Sequence, residues 1–75
     1  MTTEQRQLIT WYLQQPGRSV SRDLAIGYLL ARSQQRDVTP KLERECRNTL
    51  ESMRTERARQ IARAVHTQRM HEELR

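Results

Sequence analysis

Few side chains in this chain could do chemistry. His66 and His71 are five residues apart. On a helix that spacing turns them about 140° away from each other, so they cannot grip one metal from one face as an i,i+4 pair does. Cys46 lies about five turns earlier and cannot join them. Two glycines are too few for a phosphate-cradling loop. Glu72 and Glu73 read as a solvated tail. Cys46 falls on an apolar spacing, which marks a small packed thiol rather than a nucleophile. The expectation is a non-enzymatic chain with no catalytic residue, no metal ligand and no cofactor.

One constellation is better ordered. Lys41, Arg44, Glu45 and Asn48 are spaced i, i+3, i+4, i+7. On a helix they share one face, opposite Leu42, Cys46 and Leu50. Lys and Arg pair with guanine edges and Asn with adenine edges, so this set could read bases. Its structural counterpart is an ordinary exposed helix face. Other basic residues have acidic neighbours at i,i+4, namely Lys41–Glu45, Glu43–Arg47 and Arg47–Glu51, each pair contributing about 0.2–0.5 kcal/mol. Arg54, Arg57, Arg59, Arg63 and Arg69 point in scattered directions around the same axis.

The overall balance agrees with an anionic partner. Fourteen basic residues face nine acidic ones, a formal charge of +5, and all but Lys41 of the fourteen are Arg. Such a surplus favours nucleic acid, acidic protein surfaces or anionic lipid, although a GC-rich genome also enriches Arg codons. The single cysteine excludes an internal disulfide and fits a reducing, cytoplasmic setting. The longest apolar run, Leu24 to Ala31, is far short of the ~20 residues that cross a bilayer. The start of the chain does not read as a signal peptide. No membrane association is expected.

Seventy-five residues, 35% hydrophobic and 31% charged, allow one small domain. Alternating β-branched runs and hairpin dipeptides do not occur, so the fold class is all-α with three helices. The first should run from Thr3 to Gln15. Thr2 and Gln5 can form a capping box, and Pro16-Gly17 ends the helix. The second should start after Ser21, with Asp23 in its positive first turn, and fade near Arg36. Its apolar residues Leu24, Ala25, Ile26, Tyr28, Leu29, Leu30 and Ala31 surround the axis, a pattern that calls for cover on more than one side.

The third helix has Thr39 as cap, Pro40 at the first helical position and Glu43 at the positive end. No Gly or Pro follows it. A helix from there to the C-terminus is about 54 Å long, whereas a compact domain of this size is only about 30 Å across. It must bend, fray or project. Leu42, Cys46, Leu50 and Met53 form an apolar seam that then weakens to Ala58, Ile61, Ala62 and Val65. Residues 1–53 therefore read as a three-helix core, and residues 54–75 as a basic helical extension. Trp11, Ile26, Leu29, Leu30, Ile61 and Val65 are the expected contacts with a second copy or a partner protein.

EQRQLITWYLQQPG, SVSRDLA and VTPKLERECRNTL, over about residues 4 to 53, together resemble a helix-turn-helix or winged-helix DNA-binding domain. That resemblance implies a regulatory homodimer on DNA. Lys41, Arg44 and Asn48 would face the major groove, and Arg18 and Arg22 would touch phosphate. Small size and the lack of enzyme features suggest a bacterial, phage or mobile-element regulator. The segment departs from the pattern in a longer connection before the third helix and in having no strand pair after Met53. The other reading is a helical adaptor or inhibitor that engages a partner protein through the apolar surplus of the second helix.

Overall fold

A computed structural model describes residues 1–73. Leu74 and Arg75, which close the expected extension, lie outside the described residues, as do the side chains of His71, Glu72 and Glu73. The chain forms α1 (Thr3–Leu13), α2 (Val20–Ser33) and α3 (Pro40–Glu73), with no strand among the described residues. The all-α expectation holds.

The helix starts follow from local chemistry. Gln5 N–H donates to Thr2 Oγ1 at 3.1 Å, and Thr2 N–H donates to Gln5 Oε1 at 3.0 Å. This reciprocal box satisfies two backbone donors at the start of α1. Leu42 N–H donates to Thr39 Oγ1 at 3.3 Å, capping α3 ahead of Pro40. α2 begins at Val20, earlier than expected. Ser19 is extended at φ −125°, ψ 137° and makes no side-chain cap; its N–H instead donates to the Tyr12 hydroxyl at 3.1 Å.

The helix ends differ more from expectation. α1 stops at Leu13, where Gln14 and Gln15 N–H groups donate to the Trp11 and Tyr12 carbonyls in a tightened last turn ahead of Pro16. α2 stops at Ser33, short of Arg36. Gln35 takes a left-handed conformation at φ 58°, and Arg36 N–H reaches back to the Ala31 carbonyl at 2.9 Å. This is the Schellman closure normally given to glycine. A glutamine there costs on the order of 1–2 kcal/mol in backbone strain.

α3 is the spine. α2 runs antiparallel to its first half: Arg22 meets Glu56, Cys46 Sγ donates to the Leu24 carbonyl at 3.7 Å, and Tyr28 meets Glu43. α1 packs farther along, where Glu4 pairs with Arg54 and Trp11 bonds to Gln60. The core holds Leu8, Tyr12, Ala25, Ile26, Tyr28, Leu29, Cys46, Leu50 and Met53.

Two expectations change here. Ile26 and Leu29, expected at an interface with another molecule, are buried in the core of the single chain at 8% and 6% exposure. α3 supplies most of the cover of α2, and Leu8 and Tyr12 of α1 complete the same core. Only Leu24 and Leu30 of the ring stay open, with Val20 beside them. In addition, packing does not stop at Met53, since α1 contacts α3 as far as Gln60. Beyond that stretch α3 projects. The molecule measures 55 × 21 × 18 Å with a radius of gyration of 15.4 Å, against about 11 Å for a compact chain of this length.

Candidate nucleic-acid interface

α3 has no internal proline or glycine after Pro40, so its 3.6-residue turn carries a side-chain direction from end to end. Lys41, Arg44, Glu45 and Asn48 are all exposed, on the face turned away from Cys46, Leu50 and Met53. The same direction continues through Ser52, Thr55, Arg59 and Arg63, also exposed. Ser52, Thr55, Arg59 and Arg63 line one shallow depression with Glu56 and Gln60. Lys41 and Arg44 stand over the first turns of α3, where the helix dipole adds to their positive potential.

Apart from Glu45, which lies on this face and makes no ion pair among the described residues, the acidic residues of α3 up to Glu56 are engaged elsewhere. Glu43 pairs with Arg47 at 2.8 Å. Glu51 pairs with Arg54 at 3.6 Å, and Glu4 binds Arg54 through Nε at 2.7 Å. Glu56 pairs with Arg22. A hydrogen bond to the Tyr28 hydroxyl and the nearby Glu43 charge raise the Arg47 pKa above its ordinary value. A hydrogen bond to Glu4 and its charge do the same for Arg54. Arg47 and Arg54 project from a different side of α3 than Lys41 and Arg59. Among the described residues, Lys41, Arg44, Arg59 and Arg63 take part in no ion pair.

The other residues singled out fall as follows. Arg18 is exposed in the connection between α1 and α2. Arg22 is partly buried and bound by Glu56, so the phosphate contact expected of it is replaced by an internal one. Trp11 is half-buried, and its indole N–H donates to Gln60 Oε1 at 3.0 Å. Leu30, Ile61 and Val65 are 46%, 49% and 47% exposed. Cys46 is buried, its thiol pKa raised by burial and by the Glu45 charge. No three His, Cys, Asp or Glu side chains converge on a metal-sized site among the described residues. Among the described residues no helix is long and apolar enough to cross a membrane.

Sequence reasoning missed two features. One is the continuation of the Lys41 face to Arg59 and Arg63, visible only once α3 is known to run unbroken. The other is an apolar hollow between α2 and the start of α3, lined by Val20, Leu24, Ala31, Val38 and Leu42. The spacing of Val20, Leu24 and Ala31 was the available signal. In a helix-turn-helix, two helices cross at roughly 90–120° through a turn of about three or four residues. Here six residues, Gln34 to Thr39, join helices that run antiparallel. Compared with protein-family models, with curated proteins and with solved structures, the chain matches none of them.

Proposed function

We propose that this chain is a small DNA-binding protein of the regulatory type, and that the exposed face of α3 is its contact surface. The observation that supports this reading is the segregation of charge on α3. Among the described residues, Glu43, Glu51 and Glu56 of α3 are paired with Arg47, Arg54 and Arg22, whereas Lys41 and Arg44 make no ion pair and share their face with a single unpaired carboxylate, Glu45. Cations left without internal partners, above the positive end of a helix, offer a phosphate more than the same cations in surface pairs. Asn48, one turn farther along, has the donor and acceptor needed for an adenine edge.

The test is fluorescence anisotropy with labelled DNA at rising salt. The logarithm of the affinity should fall linearly with log salt, and the Lys41→Ala/Arg44→Ala variant should bind more weakly with a slope smaller by roughly 1.8. A wild-type protein that binds no DNA at low salt removes the reading.

A second reading rests on the apolar hollow. Val20 is 78% exposed and Leu24 53%, a cost that a partner protein or a second copy would relieve. Sedimentation at increasing concentration separates these from the free monomer, and a Leu24→Asp variant should abolish any association it detects.

A further inference from the structure

The DNA reading leaves Arg59 and Arg63 without a role, and it does not say whether the ligand is double- or single-stranded. Resting on that reading, we propose that Arg59 and Arg63 form a second phosphate clamp, which acts with Lys41 and Arg44 from opposite sides of one groove of a DNA duplex.

The face of α3 divides into three zones. Lys41 and Arg44 form a cationic end, and Arg59 and Arg63 form another. Between them Asn48, Ser52 and Thr55 are neutral, exposed and able to hydrogen-bond. At 1.5 Å per residue the neutral run from Asn48 to Thr55 is about 11 Å long, and the inner cations Arg44 and Arg59 that bracket it stand about 22 Å apart along the axis. The major groove is about 12 Å wide, with a phosphate backbone on each side. A straight helix laid across it would set its neutral zone over base edges and each cationic end at a backbone. Glu45 borders the neutral zone, where its carboxylate could accept from a cytosine amino group but would repel a phosphate. Glu56, the acidic neighbour of Arg59 in the depression, is neutralised by Arg22.

The aromatic residues argue for a duplex. Single strands are held largely by stacking of bases on exposed aromatic rings. The chain has one Trp and two Tyr, and all three are committed. Tyr12 and Tyr28 are in the core. Trp11 is packed against the core and bonded to Gln60. What α3 offers is a rigid spacing of charge, which suits two backbones held at a fixed distance and not a flexible strand.

The experiment compares a labelled duplex of about two helical turns with one of its single strands, by anisotropy over a salt series. Wild type, Arg59→Gln/Arg63→Gln and Lys41→Ala/Arg44→Ala are measured. Glutamine keeps the side-chain stem and helix propensity, and circular dichroism verifies that each variant retains the wild-type helix content. The expected result is that Arg59→Gln/Arg63→Gln weakens duplex binding roughly tenfold or more and lowers the salt slope by roughly 1.8, as loss of two phosphate contacts requires. Wild type should bind the single strand at least about tenfold more weakly than the duplex, having no stacking platform for it. A glutamine variant with wild-type affinity and slope overturns the clamp, and a single strand bound as tightly as the duplex overturns the choice of ligand. In both cases a weakened Lys41→Ala/Arg44→Ala variant would leave the DNA reading standing. A wild type that binds neither form overturns the reading and the clamp together.

Discussion

The indole N–H of Trp11 and the side-chain oxygen of Gln60 are 3.0 Å apart, a hydrogen bond that ties α1 to α3 beyond Met53. Gln60 Nε2 in turn donates to Gln15 Oε1 at 3.4 Å, near the end of α1. This small relay keeps the middle of α3 attached to the globular part. Gln60→Ala leaves the half-buried indole N–H without its acceptor, and should cost about 1–3 kcal/mol. Thermal unfolding and the tryptophan emission maximum check it together. A variant that melts as wild type with unmoved emission would show that α1 is held by other contacts.

Tyr12 closes the turn between α1 and α2. Its hydroxyl donates to Asp23 Oδ1 at 2.8 Å and accepts from Ser19 N–H at 3.1 Å. The tyrosine thus does what the Ser19 side chain does not, in holding the first turn of α2. Tyr12→Phe keeps the buried ring and removes both bonds, and a loss of about 1–3 kcal/mol is expected from denaturant unfolding. No change in the midpoint would mean that water replaces the hydroxyl without penalty.

Met53 is fully buried, whereas Leu42, on the same seam, is 37% exposed. Met53→Ala should cost about 2–5 kcal/mol through lost burial and the cavity left behind. Leu42→Ala should cost clearly less, since it removes fewer packed contacts. Equal losses in a paired urea titration would contradict the packing described for the two ends of the seam.

Burial, and then the Glu45 charge, raise the Cys46 thiol above its ordinary value of 9.0. The folded state therefore holds the thiol proton more tightly than the unfolded chain. The stability linked to this proton is fully present below the ordinary value and is lost as pH rises through the raised one. Stability should decline in that alkaline window, and Cys46→Ala should flatten the decline. Alkylation of the native thiol at neutral pH should be slow beside that of the unfolded chain. Rapid native alkylation would place Cys46 at the surface.

What was legible in the sequence was mostly local. The Thr2–Gln5 box and the Thr39-Pro40 start depend on neighbours a few residues apart, so spacing alone reveals them. The length of α3 follows from the lack of any breaker after Pro40, and Cys46 was readable as core from the seam. The end of α2 was not legible, because Gln35 adopts a conformation whose usual marker is glycine. Ile26 and Leu29 were misplaced because a circumference of apolar residues does not say which neighbour covers which side. Arg22 was assigned to phosphate because its partner, Glu56, is remote in sequence. Of the candidate interface, the Lys41–Asn48 half was visible as a pattern. The Arg59–Arg63 half required the direction to be carried through about three unbroken turns in which the aligned residues, Ser52 and Thr55, are uncharged.

The uninterrupted course of α3 has a consequence for how such a chain can vary. Nothing along the rod absorbs a change in its length. One residue inserted between Asn48 and Arg59 would rotate everything after it by about 100° and shift it about 1.5 Å outward. Arg59 and Arg63 would then leave the side shared with Lys41, while Trp11 would lose Gln60. Even a seven-residue insertion, which nearly restores the heading, would carry the far end about 10 Å away. Length polymorphism among related chains is therefore expected in the stretches Gln14–Ser19 and Gln34–Thr39, with the third helix keeping a constant frame.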